Sequence, residues 1–131
     1  MKSTWSTHRG TQVFLADYSN FGRDVERLRA EVDAGDAIIE KQPLNSVLVL
    51  VDLRNTVTSS EVVSMMKESA TRTKGRVHKT AIIGVGGIQR ILAAAVARFS
   101  REPLSLFDTI EDARDWLVGV DVKTGVHLDV E

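Results

Sequence analysis

Short apolar runs alternate along this chain with segments in which apolar residues return every three or four positions. Gln12 to Asp17 (QVFLAD) reads as a short strand through its β-formers Val13 and Phe14. Phe21, Val25, Leu28, Val32 and Ile39 then recur at helical spacing among charges. That predicts a helix from about Phe21 to Lys41, weakened by Gly35 and stopped by Pro43. Val47 to Leu53 (VLVLVDL) is apolar at consecutive positions, the pattern of a strand covered on both faces.

Thr58-Ser59-Ser60-Glu61 has the form of a capping box, with Thr58 as cap and Glu61 reaching back to it. The helix behind it buries Val62, Val63, Met66 and Ala70, and Gly75 is placed to end it. A third strand lies within Val77 to Val85, centred on Ala81-Ile82-Ile83. A turn at Gly84, Gly86 and Gly87 follows, then a helix carrying Ile88, Ile91, Leu92, Ala95, Val96 and Phe99. Pro103 closes that unit, and Leu104 to Phe107 forms a fourth, short strand. Asp108-Thr109-Ile110-Glu111 reads as another N-terminal cap, with Ile110, Ala113 and Leu117 lining its helix. From Val120 to Val130 the alternation is weak. It fits a late edge strand around a Thr124-Gly125 turn, or a loose end.

The order βαβαβαβα predicts an α/β fold. We expect a single domain, a mostly parallel sheet of four to five strands with helices on both faces, over residues 11–119. Residues 1–10 are expected to be a flexible N-terminal segment and 120–131 a C-terminal tail or edge strand.

Composition narrows the class. The chain has 131 residues, 43% apolar and 27% charged, an ordinary globular balance that can bury a core without staples. It contains no cysteine, which removes disulfide frameworks, thiolate metal sites and cysteine nucleophiles together. The polar start lacks the apolar core of a signal peptide, and no run approaches a membrane span of ~18 residues. A cytoplasmic location is the expectation. The net charge of −1 conceals an asymmetry. No acid falls between Ser69 and Arg101, whereas acids dominate from Glu102 onward. A solvated surface accounts for such blocks, and they also suit an anionic ligand or the pairing of two copies. The chain as a whole is not basic, which argues against nucleic acid.

Ligands of open parallel sheets lie outside the carboxyl ends of the strands. Here that edge gathers Asp17, Tyr18, Asn55, Thr56, Gly86, Gly87 and Gln89, the candidate rim for a ligand or partner. Gly84-Val85-Gly86-Gly87 before a helix could cradle a phosphate, so a small-ligand or nucleotide-binding enzyme using the Gly84–Gln89 turn is the alternative reading. Gln89, however, stands where a dinucleotide fingerprint wants glycine or alanine. Asp17, Asp52 and Lys79 are reminiscent of a phospho-receiver. The pattern fails because no second acid adjoins Asp17 and the late strand ends in Asp108. Asp52 then reads as a turn or cap residue. His8, His78 and His127 are scattered, with no metal-binding spacing and no nucleophile elbow. We assign no catalytic residue, metal or cofactor.

Two stretches carry a resemblance. Val47 to Glu61 (VLVLVDLRNTVTSSE) resembles the core of STAS domains, the fold of bacterial anti-sigma-factor antagonists. Lys79 to Leu117, with KTAIIGVGGIQRI, LSLFDT and EDARDWL, is similar to the SpoIIAA-like branch grouped as STAS/SEC14-type proteins. The resemblance implies a non-enzymatic regulatory module that binds a protein partner or a small anionic or apolar ligand, and a homodimer is compatible with it. It also implies a candidate phosphosite at Ser59 or Ser60. Thr58 and Glu61 depart from the antagonists' motif there, standing in place of an aspartate and a glycine.

Overall fold

A computed structural model describes residues 1–86, 103–122 and 126–128, the last three as backbone. The sequence readings on Gly87, Gln89, the Ile88–Phe99 helix and the Thr124-Gly125 turn fall outside those residues.

The strands are β1 (Thr4–His8), β2 (Thr11–Asp17), β3 (Val47–Asp52), β4 (Val77–Ile83), β5 (Leu104–Phe107) and β6 (Val126–Leu128). The described helices are α1 (Val25–Ile39), α2 (Ser60–Thr73) and α3 (Ile110–Leu117). One sheet orders the strands β1-β2-β3-β4-β5-β6. Strands β2 to β5 run parallel, while β1 and β6 close the two edges antiparallel. The fold is therefore α/β with a mostly parallel sheet; β6 takes the late edge place that the sequence left open, and β1 makes the sheet one strand wider than the expected four to five.

The first edge departs from the flexible lead-in expected of residues 1–10. Arg9 and Gly10 both take positive φ, 50° and 81°, the geometry of a tight hairpin turn that matches strand twist. Trp5 then packs edge-on against Phe14 at 5.1 Å between ring centroids. Ahead of β1, the Glu31 carboxylate of α1 accepts the Lys2 and Ser3 amides, the latter at 2.8 Å.

Strand β3 sits centrally, and its consecutive apolar pattern is used on both faces. Val49 and Val51 join the cluster of Phe14, Leu28, Val32, Val62, Met65 and Leu106, under α1 and α2. Leu50 joins Val13, Ala81, Ile83, Phe107, Ala113 and Leu117, under α3. Phe14 and Leu50 are wholly buried, each contributing roughly 1.5–3 kcal/mol.

Helix boundaries follow their caps. Asp24 accepts the Arg27 amide at 3.1 Å, so α1 starts at Val25 and not at Phe21. The backbone of Phe21 and Gly22 is spent elsewhere: Gly22 bridges Thr56 and accepts the Val57 amide at 2.8 Å. Helix α2 is capped by Ser59, which accepts the Val62 amide at 3.2 Å. That corrects the capping box expected on Thr58 and Glu61. The cap falls one residue later, which moves Val62 to the position that a box gives to Glu. Thr109 caps α3 through the Asp112 amide. No described helix is long and apolar enough to cross a membrane.

Candidate functional site

Strands β2 and β3 end in register, Asp17 beside Asp52, at the carboxyl edge. Each acid is satisfied by its own neighbours. Asp17 accepts from the Ser19 amide and hydroxyl at 3.2 and 2.5 Å, with the Lys2 ammonium 3.5 Å away. Burial works to raise this carboxyl, but the Ser19 bonds and the Lys2 charge outweigh it and hold Asp17 below its ordinary range. The Lys2 ammonium also donates to the Ser19 carbonyl and lies over the Phe21 ring. Buried Asp52 accepts the Arg54 amide at 3.0 Å and faces the exposed Arg54 guanidinium at 2.9 Å, a turn role as the sequence suggested. Lys79 lies on β4, donates to the Trp116 carbonyl and stacks over that indole, away from both acids. No group of metal-ligating side chains occurs among the described residues.

The next rim residues lock two loops together. Thr56 donates its hydroxyl to the Tyr18 carbonyl at 2.6 Å and accepts the Phe21 amide at 3.1 Å. Asn55 donates its side-chain amide to Asn20 at 2.9 Å. Both asparagines take left-handed backbone, φ 60° and 63°, which their short polar side chains tolerate. Gly84 has φ 86°, and a Cβ there would fall 2.7 Å from the Leu53 carbonyl carbon. Close approach of two backbones therefore accounts for this glycine without a phosphate. Gly86 is exposed, and Gly87 and Gln89 lie outside the described residues. Of the candidate phosphosites, Ser59 is spent as the α2 cap and Ser60 is exposed in the first turn.

Tyr18 differs from its rim neighbours. Its side chain turns inward, is 3% exposed, and lines a cavity of about 80 Å³ between the sheet and α1/α2. The cavity extends from Val77 and Leu104, at the amino ends of β4 and β5, to Leu53, Thr58 and Val85 past the carboxyl ends of their strands. Its walls are mainly aliphatic: Val49, Val51 and Ile82 from the sheet, Val63, Met66 and Ala70 from α2.

One wall is polar. Asp36, 2% exposed, accepts the Ser69 hydroxyl at 2.7 Å and the Arg72 guanidinium at 2.6 Å. Burial pushes Asp36 above the usual carboxylate range, against the pull of Ser69 and Arg72. Burial, then the Asp36 and Glu31 carboxylates, push the Tyr18 phenol far above its ordinary range, so it stays neutral. Its hydroxyl makes no hydrogen bond to any described residue.

Asp36, Ser69 and Arg72 were not singled out from the sequence. The signal was present, since Asp36 falls on the stripe Leu28, Val32, Ile39 that α1 turns inward. A charge on an apolar stripe requires a partner. Arg72 and Ser69, three residues apart on α2, supply three hydrogen bonds to it.

No family model, curated protein or solved structure matches the chain.

Proposed function

We propose that this protein is a non-enzymatic binding module whose ligand occupies the cavity between the sheet and α1/α2. The carrying observation is the contrast between the two parts of the site. At the carboxyl rim, Asp17, Asp52, Asn55 and Thr56 all pair with neighbouring groups. Behind the rim, a cavity walled by Val49, Val63 and Ile82 keeps space that side chains do not fill. Close packing is the rule in protein interiors, so an apolar void is a cost that a ligand removes. Both Asp36 carboxylate oxygens are engaged by Ser69 and Arg72, which favours a structural part over proton transfer.

The STAS resemblance supplies the wider frame of this proposal, a regulatory module whose ligand state a partner reads. Ser60 is the better placed of the two hydroxyls for modification, because Ser59 would have to give up its cap. Glu61, in the same turn, opposes a phosphate there by its charge.

Xenon tests the cavity, because apolar voids take it up without hydrogen bonds. Methyl NMR under xenon pressure should shift Val49, Val63, Met66 and Ile82 and leave surface methyls such as Leu44 unmoved. A response spread evenly over the protein, or none, would overturn the reading.

A further inference from the structure

The cavity has a chemical polarity of its own. Aliphatic carbon forms most of its wall, Thr58, Thr73 and Thr80 add to the lining, and the hydroxyl of Tyr18 opens onto it with no hydrogen-bond partner among the described residues. No enclosed side-chain polar atom among the described residues lacks a partner, so this hydroxyl keeps open surface facing the cavity, where a ligand or an ordered water can bond it. Resting on the binding reading above, we propose that the occupant is a small uncharged molecule, of the class of short ketones and alcohols. Its one polar group bonds the Tyr18 hydroxyl while its hydrocarbon lies against Val49, Val63 and Ile82.

Three observations set that chemistry. The volume, about 80 Å³, is roughly half that of an apolar cavity that holds benzene, which limits the buried part to a few heavy atoms. The phenol stays protonated between burial and two carboxylates, so it offers a hydrogen to a carbonyl or hydroxyl oxygen. Charge is disfavoured at the same wall. Asp36 would repel an anion, and the nearby cation, Arg72, is committed to Asp36 at 2.6 Å and Asp33 at 3.3 Å. A cation would lose its hydration among the aliphatic side chains.

The test uses three probes of similar length, butan-2-one, butyrate and n-pentane, titrated into the full chain and into Tyr18→Phe. Methyl and amide NMR shifts report binding. Tyr18→Phe keeps the ring and removes only the oxygen. In the native protein the ketone and the alkane should move the cavity methyls and butyrate should not. In Tyr18→Phe the ketone should weaken about fivefold, the size of one neutral hydrogen bond, with the alkane unchanged. Butyrate matching the ketone would overturn the claim about charge. A ketone affinity unchanged in Tyr18→Phe would overturn the anchor while xenon and alkane binding kept the cavity reading intact. Silence from all probes, xenon included, would remove that reading as well. Contacts between bound butan-2-one and the Tyr18 ring protons, measured by nuclear Overhauser effects in the native protein, give a readout independent of the variant. Their presence is expected, and their absence from a bound state would overturn the anchor.

Discussion

Gly35 and Tyr18 meet where α1 crosses the sheet: a Cβ placed on Gly35 would lie 3.4 Å from the Tyr18 hydroxyl oxygen and 3.5 Å from the Phe14 ring. That is ordinary contact and not a clash. Glycine in the middle of a helix costs about 0.5–1 kcal/mol relative to alanine. Gly35→Ala should therefore raise stability by about that amount, read as a higher urea midpoint with an unchanged slope. Gly35→Leu should do the reverse, losing about 1–3 kcal/mol as its branch meets Phe14 and Tyr18. If alanine also destabilised, the fit of α1 on β2 would be tighter than these distances state.

Gly84 presents the opposite case. Its φ of 86° disfavours any side chain, and a Cβ would press on the Leu53–Arg54 backbone, with the Arg54 Cα 2.9 Å away. Gly84→Ala should cost at least about 2 kcal/mol in urea unfolding, by left-handed strain added to the backbone clash. A glycine needed only to admit a phosphate would tolerate alanine in the unliganded protein. A neutral result would thus revive the nucleotide reading.

These two glycines show what could and could not be read in the chain. Period and run length located every described helix and the inner strands β2 to β5, because each carries its own pattern. The run VLVLVDL stated its double coverage outright, and Leu50 and Val51 indeed serve opposite faces. The hairpin of β1 left no comparable mark. Its turn is Arg9-Gly10, not Asn-Gly or Asp-Gly, and its strand THR-TRP-SER-THR-HIS is polar enough to pass for a tail. The rim residues were found by topology alone, which names the edge but not the side to which a side chain turns. Tyr18 was legible as an edge residue. That it points back beneath α1, beside Gly35, depends on how the helix lies across the sheet. The cavity was invisible for a related reason, since a void is a property of how elements sit and not of any segment.

Arg72 and Asp36 join α2 to α1 through a carboxylate that is almost fully buried. Removing the cation strands that charge, which costs 3–5 kcal/mol when both partners are buried. Arg72 is 38% exposed, so solvent softens the loss, and Arg72→Met should cost about 1–3 kcal/mol at pH 7. The deficit should shrink on acidification. Without its partner the folded Asp36 carboxyl titrates still higher, so the folded variant takes up a proton before the unfolded chain and gains stability as pH falls. Urea midpoints at pH 7 and pH 5 check both parts, and a deficit that grew in acid would contradict the pairing.

Glu31 carries the opposite sign. Burial works to raise its carboxyl, but hydrogen bonds from Lys2 and Ser3 and the charge of the N-terminus win, and they hold it below the ordinary value of 4.5. The folded state therefore binds a proton less readily than the unfolded chain. Glu31 contributes its stability in full above pH 4.5 and loses it as pH falls from there through the lower folded value. Glu31→Gln keeps the size and one accepting oxygen but cannot gain or lose that charge. At pH 7 it should be less stable than the native protein by about 1–2 kcal/mol, the cost of trading charged hydrogen bonds for neutral ones. Below pH 4.5 the two unfolding midpoints should converge, because the native carboxyl is then becoming neutral too. The same variant should speed hydrogen exchange at the Ser3 amide, now 2.8 Å from the carboxylate, more than at Leu50 in the centre of the sheet. A stability gap that stayed constant with pH, with Ser3 exchange unaltered, would show that β1 is held by its pairing with β2 and not by the Glu31 anchor.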